Sequence, residues 1–314
     1  MVKWYKFYSL GALIVLTGCN PVDEDISQKS STRNEEQSVY PAMAVPLQPN
    51  ALAEANIAKL NQLLTDKELS DESRAEIYLK RGLNYDEIGL RDLASTDYAN
   101  SLQIDPRQPD IYNLLGMYYT QISQFDAAYD AFYSSLELDP NNKQAIYNRA
   151  IAFYYGERPT LALEDIKTFY QENPNDPFRA MWLYIIESDV DKTSATAHLQ
   201  ESYKNRTDEW GWVLAGILLN EITEENVVKL VTSSTSDNKV MAQRLTEAYF
   251  YLGKYYMEHG EMNRALSVYK LAISLNVCNY NEHSYAFLEL ERISKEFKAA
   301  QKTGNTEKFV SLNF

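Results

Sequence analysis

The sequence predicts an all-α solenoid of helix-turn-helix pairs with flanking capping helices. Three observations carry this expectation. A set of positions recurs at a fixed interval: Tyr78, Gly82, Tyr85, Ala94, Tyr98 and Pro106 are followed 34 positions on by Tyr112, Gly116, Tyr119, Ala128, Phe132 and Pro140. Another 34 positions on come Ile146, Ala150, Phe153, Ala162, Ile166 and Pro174. Helix breakers are sparse, with 11 Gly and 10 Pro in 314 residues, whereas 24 Tyr supply large rings with one wet edge. Finally, 45% of the residues are hydrophobic, enough for most of the chain to bury surface repeat by repeat.

Each element follows from its residues. Ala51–Leu64 is amphipathic, with Ile57, Leu60, Leu63 and Leu64 on one side. In the three repeats, about 75–108, 109–142 and 143–176, Gly82, Gly116 and Ala150 are small so that the two helices of a pair can approach closely. Ala94, Ala128 and Ala162 are their small partners, and the aromatic and branched positions fill the space between pairs. Pro106, Pro140 and Pro174 stop the second helix and set the turn before the next pair. Residues 177–232 are helical in pattern but lack the spacing. Asp176-Pro177 reads as an N-cap followed by proline in the first turn, ahead of Phe178, Met181, Trp182, Tyr184 and Ile185. Further helices are expected near Ala195–Tyr203, Glu209–Leu219 and Glu224–Val231, before a polar loop at Ser233–Asn238. A fourth repeat, 246–279, carries Tyr249, Leu252, Gly253, Tyr256, Ala265, Tyr269 and Ala272, with Val277 at the closing position. Glu282–Ala299 is expected to cap it, ending a helical domain at 50–299 and leaving a C-terminal tail at 300–314.

This spacing resembles the tetratricopeptide repeat, so the expected fold is a tetratricopeptide-repeat solenoid. Such arrays present a concave groove lined by the first helix of each pair. Counted from the repeat, its inward positions are Leu79, Leu83 and Asp86, then Asn113, Met117, Thr120 and Gln121, then Tyr147, Ile151, Tyr154 and Tyr155, and in the late repeat Phe250, Lys254 and Met257. Aromatic and Met side chains there are suited to anchoring a peptide or loop of a protein partner. The alternative is that some of them pack against the capping helix or a second protomer.

The N-terminus reads as an address. Lys3 and Lys6 precede the apolar run Phe7–Leu16, which is too short to span a bilayer and fits a secretory signal at 1–18. Leu16-Thr17-Gly18-Cys19 resembles the bacterial lipobox, which implies acyl chains on Cys19 and firm membrane anchoring. Asn20, where an aspartate would imply inner-membrane retention, favours the outer membrane. Residues 19–49 then form a lipidated tether, rich in Asp, Glu, Ser, Asn and Gln, with an average span of roughly 30 Å for a flexible coil of that length.

Composition excludes several classes. A net charge of −14 repels phosphate backbones, so nucleic acid is not an expected partner. His198, His259 and His283 lie far apart without metal-ligand spacing, and no glycine-rich phosphate loop or nucleophile elbow is present. No catalytic residue, metal or cofactor is assigned. A disulfide between Cys19 and Cys278 is not expected, and Cys278 reads as a small, mostly buried residue beside a closing turn.

A closer resemblance rests on runs outside the general repeat. Ala44-Val45-Pro46-Leu47-Gln48-Pro49, Asn175-Asp176-Pro177-Phe178-Arg179, Trp182-Leu183-Tyr184, Glu209-Trp210-Gly211-Trp212 and Tyr251-Leu252-Gly253-Lys254-Tyr255-Tyr256 are similar to the NlpI family of outer-membrane lipoproteins. The runs Phe125-Asp126-Ala127-Ala128-Tyr129 and Leu136-Glu137-Leu138-Asp139-Pro140 also match that family, though they lie within the repeat. The resemblance implies a homodimer facing the periplasm. It also implies a non-enzymatic adaptor that presents NlpC/P60-type murein endopeptidases to the tail-specific protease Prc, and a scaffold for other peptidoglycan enzymes in cell-wall growth. Another tetratricopeptide lipoprotein role, in outer-membrane protein assembly or pilus secretin assembly, is the alternative. The tail ends Phe309-Val310-Ser311-Leu312-Asn313-Phe314, apolar at the terminus, which would suit either strand addition to a protease PDZ domain or packing on the capping helix.

Overall fold

The computed structural model describes residues 41–303. The expected signal segment, Cys19, the polar part of the expected tether and the tail from 304 lie outside the described residues. Among the described residues there are fourteen α-helices and no strand. They are α1 (Ala51–Leu63), α2 (Asp71–Glu87), α3 (Arg91–Ile104), α4 (Pro109–Gln121), α5 (Phe125–Leu138), α6 (Lys143–Tyr155) and α7 (Pro159–Glu172). There follow α8 (Pro177–Ser188), α9 (Lys192–Lys204), α10 (Trp210–Leu218), α11 (Glu224–Ser234), α12 (Asn238–Glu258), α13 (Met262–Ser274) and α14 (Asn281–Thr303). The expected hairpins are α2/α3, α4/α5, α6/α7 and α12/α13, and α8/α9 forms a further pair.

The small positions act as the spacing requires. A Cβ on Gly82 would lie 2.6 Å from the Tyr98 ring, one on Gly116 2.5 Å from Phe132, and one on Gly253 2.3 Å from Tyr269. In each hairpin the aromatic ring of the second helix sits where a side chain of the first would otherwise be. Ala94, Ala128, Ala150, Ala162 and Ala265 are fully buried between the helices. The closing prolines stand just past the C-caps Asp105, Asp139 and Asn173. At the softer boundary α13 is stopped instead by Asn276 in the left-handed region (φ 57°), and Val277 is buried.

Capping explains the irregular middle. Asp176 accepts from the backbone N–H groups of Phe178 and Arg179, with Pro177 in the first turn of α8. Asp191, Thr223 and Asp237 cap α9, α11 and α12 in the same way. The runs Asn175–Arg179 and Glu209–Trp212 pack on each other: a Cβ on Gly211 would lie 2.4 Å from the Pro177 ring. The Trp210 Nε1–H donates to Glu247 of α12 at 2.7 Å.

Two features depart from the sequence expectation. Residues 41–49, assigned to the tether, are docked on the last repeat. Ala44 is buried, Ala42 and Leu47 pack on the main core, and hydrogen bonds from α12 and the end of α13 hold the segment. The polar tether composition stops at about Ser38, and the small apolar side chains after it have surface to bury. Second, α14 does more than cap α13. At 23 residues it is about 34 Å long. Its first turn and the turn before it reach the first repeat, where Arg91 donates to the Cys278 carbonyl (2.8 Å) and to the Ser284 hydroxyl (2.5 Å). Further along, Glu289 accepts from the Tyr155 hydroxyl (2.9 Å), and Glu291 from the Ser123 hydroxyl (2.7 Å). The array therefore wraps around its own last helix.

Candidate protein-binding cleft

The fourteen predicted groove residues divide by what α14 leaves open. Tyr147, Ile151, Tyr154, Tyr155 and Phe250 are buried, with Ile151 and Phe250 fully so. The four aromatic ones belong to a cluster centred on Trp182, which stacks edge-on against Tyr285 of α14 at 5.6 Å and lies 6.2 Å from Phe250. Tyr155 lies 5.7 Å from Tyr285. Their aromatic surface, read from sequence as anchoring for a partner, is taken by the chain itself. Asn113 and Thr120 are buried as well. The Asn148 side-chain amide donates to the Asn113 side-chain oxygen at 3.0 Å, joining α4 to α6, and the Thr120 hydroxyl donates to the Gly116 carbonyl at 2.8 Å. Leu79 packs beside the small core formed by Ala94, Tyr98, Ile111, Leu115 and Ala131.

Lys254 and Met257 border a second cavity, of about 400 Å³, between α6, α8, α12 and α14. Lys254 is paired with Glu289 of α14, both side chains being more than nine-tenths buried, and donates to the Tyr154 hydroxyl at 2.8 Å. Burial pushes the Glu289 carboxyl up. The charges of Lys254 and Arg292, with hydrogen bonds from Lys254 and Tyr155, more than reverse this and hold it below its ordinary value. At this end of the cavity the charges of Lys254 and Glu289 are thus matched within the chain.

The four remaining residues, Leu83, Asp86, Met117 and Gln121, converge. They line a cleft of about 250 Å³ between α2, α4 and the turn leading into α14. Leu83 is 44% exposed, and with Leu114 and Met117 it makes an apolar floor. Asp86, Glu87, Arg91, Gln121, Asn279 and Asn281 form its polar rim, closed at one point by the Asn279 side-chain amide donating to the Glu87 carboxylate at 3.3 Å. Asp86 accepts from the Tyr98 hydroxyl at 2.6 Å. Burial holds its carboxyl above the usual value against the opposing effects of that bond and of Arg91. Cys278 sits half-buried at the edge of the cleft, and burial pushes its thiol up, so thiolate reactivity is not favoured there. The volume suits one or two side chains of a peptide, below the usual range for small-molecule sites. Cys278, Asn279 and Asn281 were not expected here, because the return of α14 to the first repeat is not encoded in the repeat spacing.

The histidines are separated. His198 bonds Glu187 at 2.6 Å, His259 bonds the Tyr255 carbonyl at 2.8 Å, and His283 is buried, its pKa lowered to about 4 chiefly by that burial. Among the described residues no group of three His, Cys, Asp or Glu is placed to hold a metal ion, and no helix is long and apolar enough to cross a membrane.

Comparison with known proteins agrees with this architecture. The tetratricopeptide repeat family matches residues 109–142 and 246–276, which are α4/α5 and the α12/α13 pair. Among solved structures, PilF of Pseudomonas aeruginosa is similar at 16% identity, with 67% of this chain and 90% of that chain covered and a TM-score of 0.46. MamA MSR-1 C2 is similar at 18% identity over 49% of this chain and 90% of that one, with a TM-score of 0.42. YrrB, described as a tetratricopeptide-repeat protein with an unusual peptide-binding site, is similar at 16% identity over 76% and 99%, with a TM-score of 0.38. The chain is thus an all-α protein whose helices pack pairwise in tetratricopeptide-like helix-turn-helix repeats, the scaffold of a protein-binding module.

Proposed function

We propose that this chain is a non-enzymatic adaptor that holds a partner through the cleft between α2 and α4. The observation that carries the reading is the apolar floor of exposed Leu83 and half-buried Leu114 and Met117 beside the carboxylates of Asp86 and Glu87. It fits an apolar side chain presented next to a basic one. The finer assignment is an outer-membrane lipoprotein, anchored through acyl chains on Cys19, facing the periplasm and homodimeric. Its partners are the protease Prc and NlpC/P60-type murein endopeptidases. What supports it is the set of NlpI-like runs, of which Asn175–Arg179 and Glu209–Trp212 pack together as one unit beyond the general repeat. In this reading the catalysis belongs to the partners, and the chain supplies proximity and orientation.

The test is affinity capture with crosslinking, followed by titration of purified protease and endopeptidase. Leu83→Arg and Met117→Glu are expected to weaken binding at least tenfold with helicity unchanged. Equal affinity would remove the cleft from the interface for that partner, and capture of secretin or porin-assembly subunits in place of murein enzymes would overturn the finer assignment. Cys19→Ala is expected to yield an unlipidated precursor, and its normal processing and stable outer-membrane location would exclude the lipobox.

A further inference from the structure

The way residues 42–47 are held differs from ordinary packing. Their main chain is read by hydrogen bonds, in addition to the packing of Ala42, Ala44 and Leu47 on the core. The Asn238 side-chain amide clasps Val45 on both sides, its oxygen accepting the Val45 N–H at 2.8 Å and its nitrogen donating to the Val45 carbonyl at 2.9 Å. The Leu47 N–H donates to the Leu275 carbonyl at 3.0 Å, and the Asn276 amide donates to the Leu47 carbonyl at 2.6 Å. The Tyr249 hydroxyl donates to the Ala42 carbonyl at 2.5 Å. The Asn276 amide is itself oriented, since its oxygen accepts the Cys278 thiol at 3.2 Å. Only Ala44 is buried among the segment's side chains, whereas Met43 and Val45 are 45% and 69% exposed. Pro41, Pro46 and Pro49 restrain the segment toward extended conformations, which lowers the entropy lost on docking.

Side-chain amides reading a backbone, one small apolar pocket and outward-facing intervening residues are the features by which a protein binds extended peptides with tolerance for sequence. We propose that the edge formed by Asn238, Tyr249, Leu275 and Asn276 is a second peptide-binding site, occupied in cis by residues 42–47. Its ligand class is a proline-flanked segment of another protein with a small apolar residue at the position of Ala44. The segment runs directly into α1, so its local concentration at the site is in the millimolar range, and a free peptide competes only when the strap is released. The site shares no lining residue with the cleft on α2 and α4, which it adjoins through the turn at residues 276–278.

The probe is a fluorescent synthetic peptide spanning residues 40–49. The full chain is compared with two strap variants that leave the site intact: Ala44→Arg, which cannot be buried, and Val45→Pro, which removes the N–H given to Asn238 and touches no core. Hydrogen exchange at Leu47 reports strap release in both. Both variants are expected to bind the peptide about 100-fold more tightly than the unaltered chain. Adding Asn238→Ala should abolish this, and adding Leu83→Arg should not change it. The proposal is overturned if a variant with a freely exchanging Leu47 amide does not bind the peptide, or if the unaltered chain binds it equally well. It is also overturned if Leu47 stays protected in both variants, or if Leu83→Arg removes the binding and so places the peptide in the cleft.

Discussion

Replacing Lys254 by Met tests whether α14 is locked in the groove by charge. Lys254 is 7% and Glu289 3% exposed at the side chain, so neither is much screened by water. Removing the lysine leaves Glu289 with the Tyr155 hydroxyl at 2.9 Å and Arg292 at 3.7 Å. Breaking one side of a buried pair costs about 3–5 kcal/mol, because the remaining charge stays desolvated. At roughly 2–4 °C per kcal/mol for a domain of this size, the melting temperature should fall by about 10 °C. Lys254→Met/Glu289→Leu should recover most of that loss, since two apolar side chains replace the pair and Arg292 keeps the Tyr154 hydroxyl at 2.9 Å. The pH dependence supplies the sign. In the unaltered protein the Glu289 carboxyl is held low, so its contribution is present above the unfolded value and lost only as pH falls through the lower folded one. Without Lys254, burial dominates and raises it, so the deficit of the single variant should be largest at pH 8 and shrink toward pH 5. Urea unfolding of the two variants across that range is the assay. A single-variant loss under about 1 kcal/mol, or a double variant as damaged as the sum of its parts, would refute the reasoning.

Three further outcomes are expected. Gly116→Ala places a Cβ 2.5 Å from the Phe132 ring and should cost about 1–3 kcal/mol by thermal melting, with Gly116→Leu unfolding the hairpin. Glu247 is raised to about 8 by burial and by Glu282, so its protonated form favours the fold: the contribution is complete below about pH 4.5 and is lost as pH rises to about 8. Glu247→Gln should flatten that part of the stability profile measured by urea titration. Glu157→Gly should stabilise by about 0.5–1 kcal/mol, because the native residue stands in the left-handed region at φ 59°, and Ser123→Gly, at φ 58°, should gain less because it also removes the hydroxyl bond to Glu291.

Those two positions show what the sequence carried and where its reading stopped. Gly89, Ser123, Glu157 and Gly260 occupy one place in four hairpins, and the next N–H closes each turn: Leu90 to Tyr85, Gln124 to Tyr119, Arg158 to Phe153 and Glu261 to Tyr256, at 2.8–2.9 Å. The glycines at 89 and 260 were a usable signal; Ser123 and Glu157 concealed it, since nothing in their side chains announces a left-handed turn. The pairs Arg81–Asp97 and Arg149–Asp165 likewise recur two repeats apart, while Leu115 and Ala131 stand at the middle repeat's equivalents. Small-residue spacing was legible because it is local to each hairpin. The occupation of the groove was not, because it depends on α14 meeting residues more than 100 positions away, such as Tyr155. The docked strap was half-announced by the change from polar to small apolar residues after Ser38.

The lock on α14 limits how a partner can use the concave face. A ligand that displaced α14 would expose the Trp182 cluster, unpair Lys254 from Glu289 and release Arg91 from Ser284 together. Each of these changes is unfavourable, and they fall on one rigid element, so they must be overcome in a single step. A ligand seated on Leu83 and Met117 meets no such barrier, since α14 contributes only its first turn to that cleft. Saturation with a cleft-binding partner should therefore slow amide exchange around Leu83 and Met117 and leave Glu289 to Ile293 as protected as in the free chain. Faster exchange in that stretch on binding would mean that the groove opens, and that the buried aromatic residues of α6 and α12 belong to the interface after all.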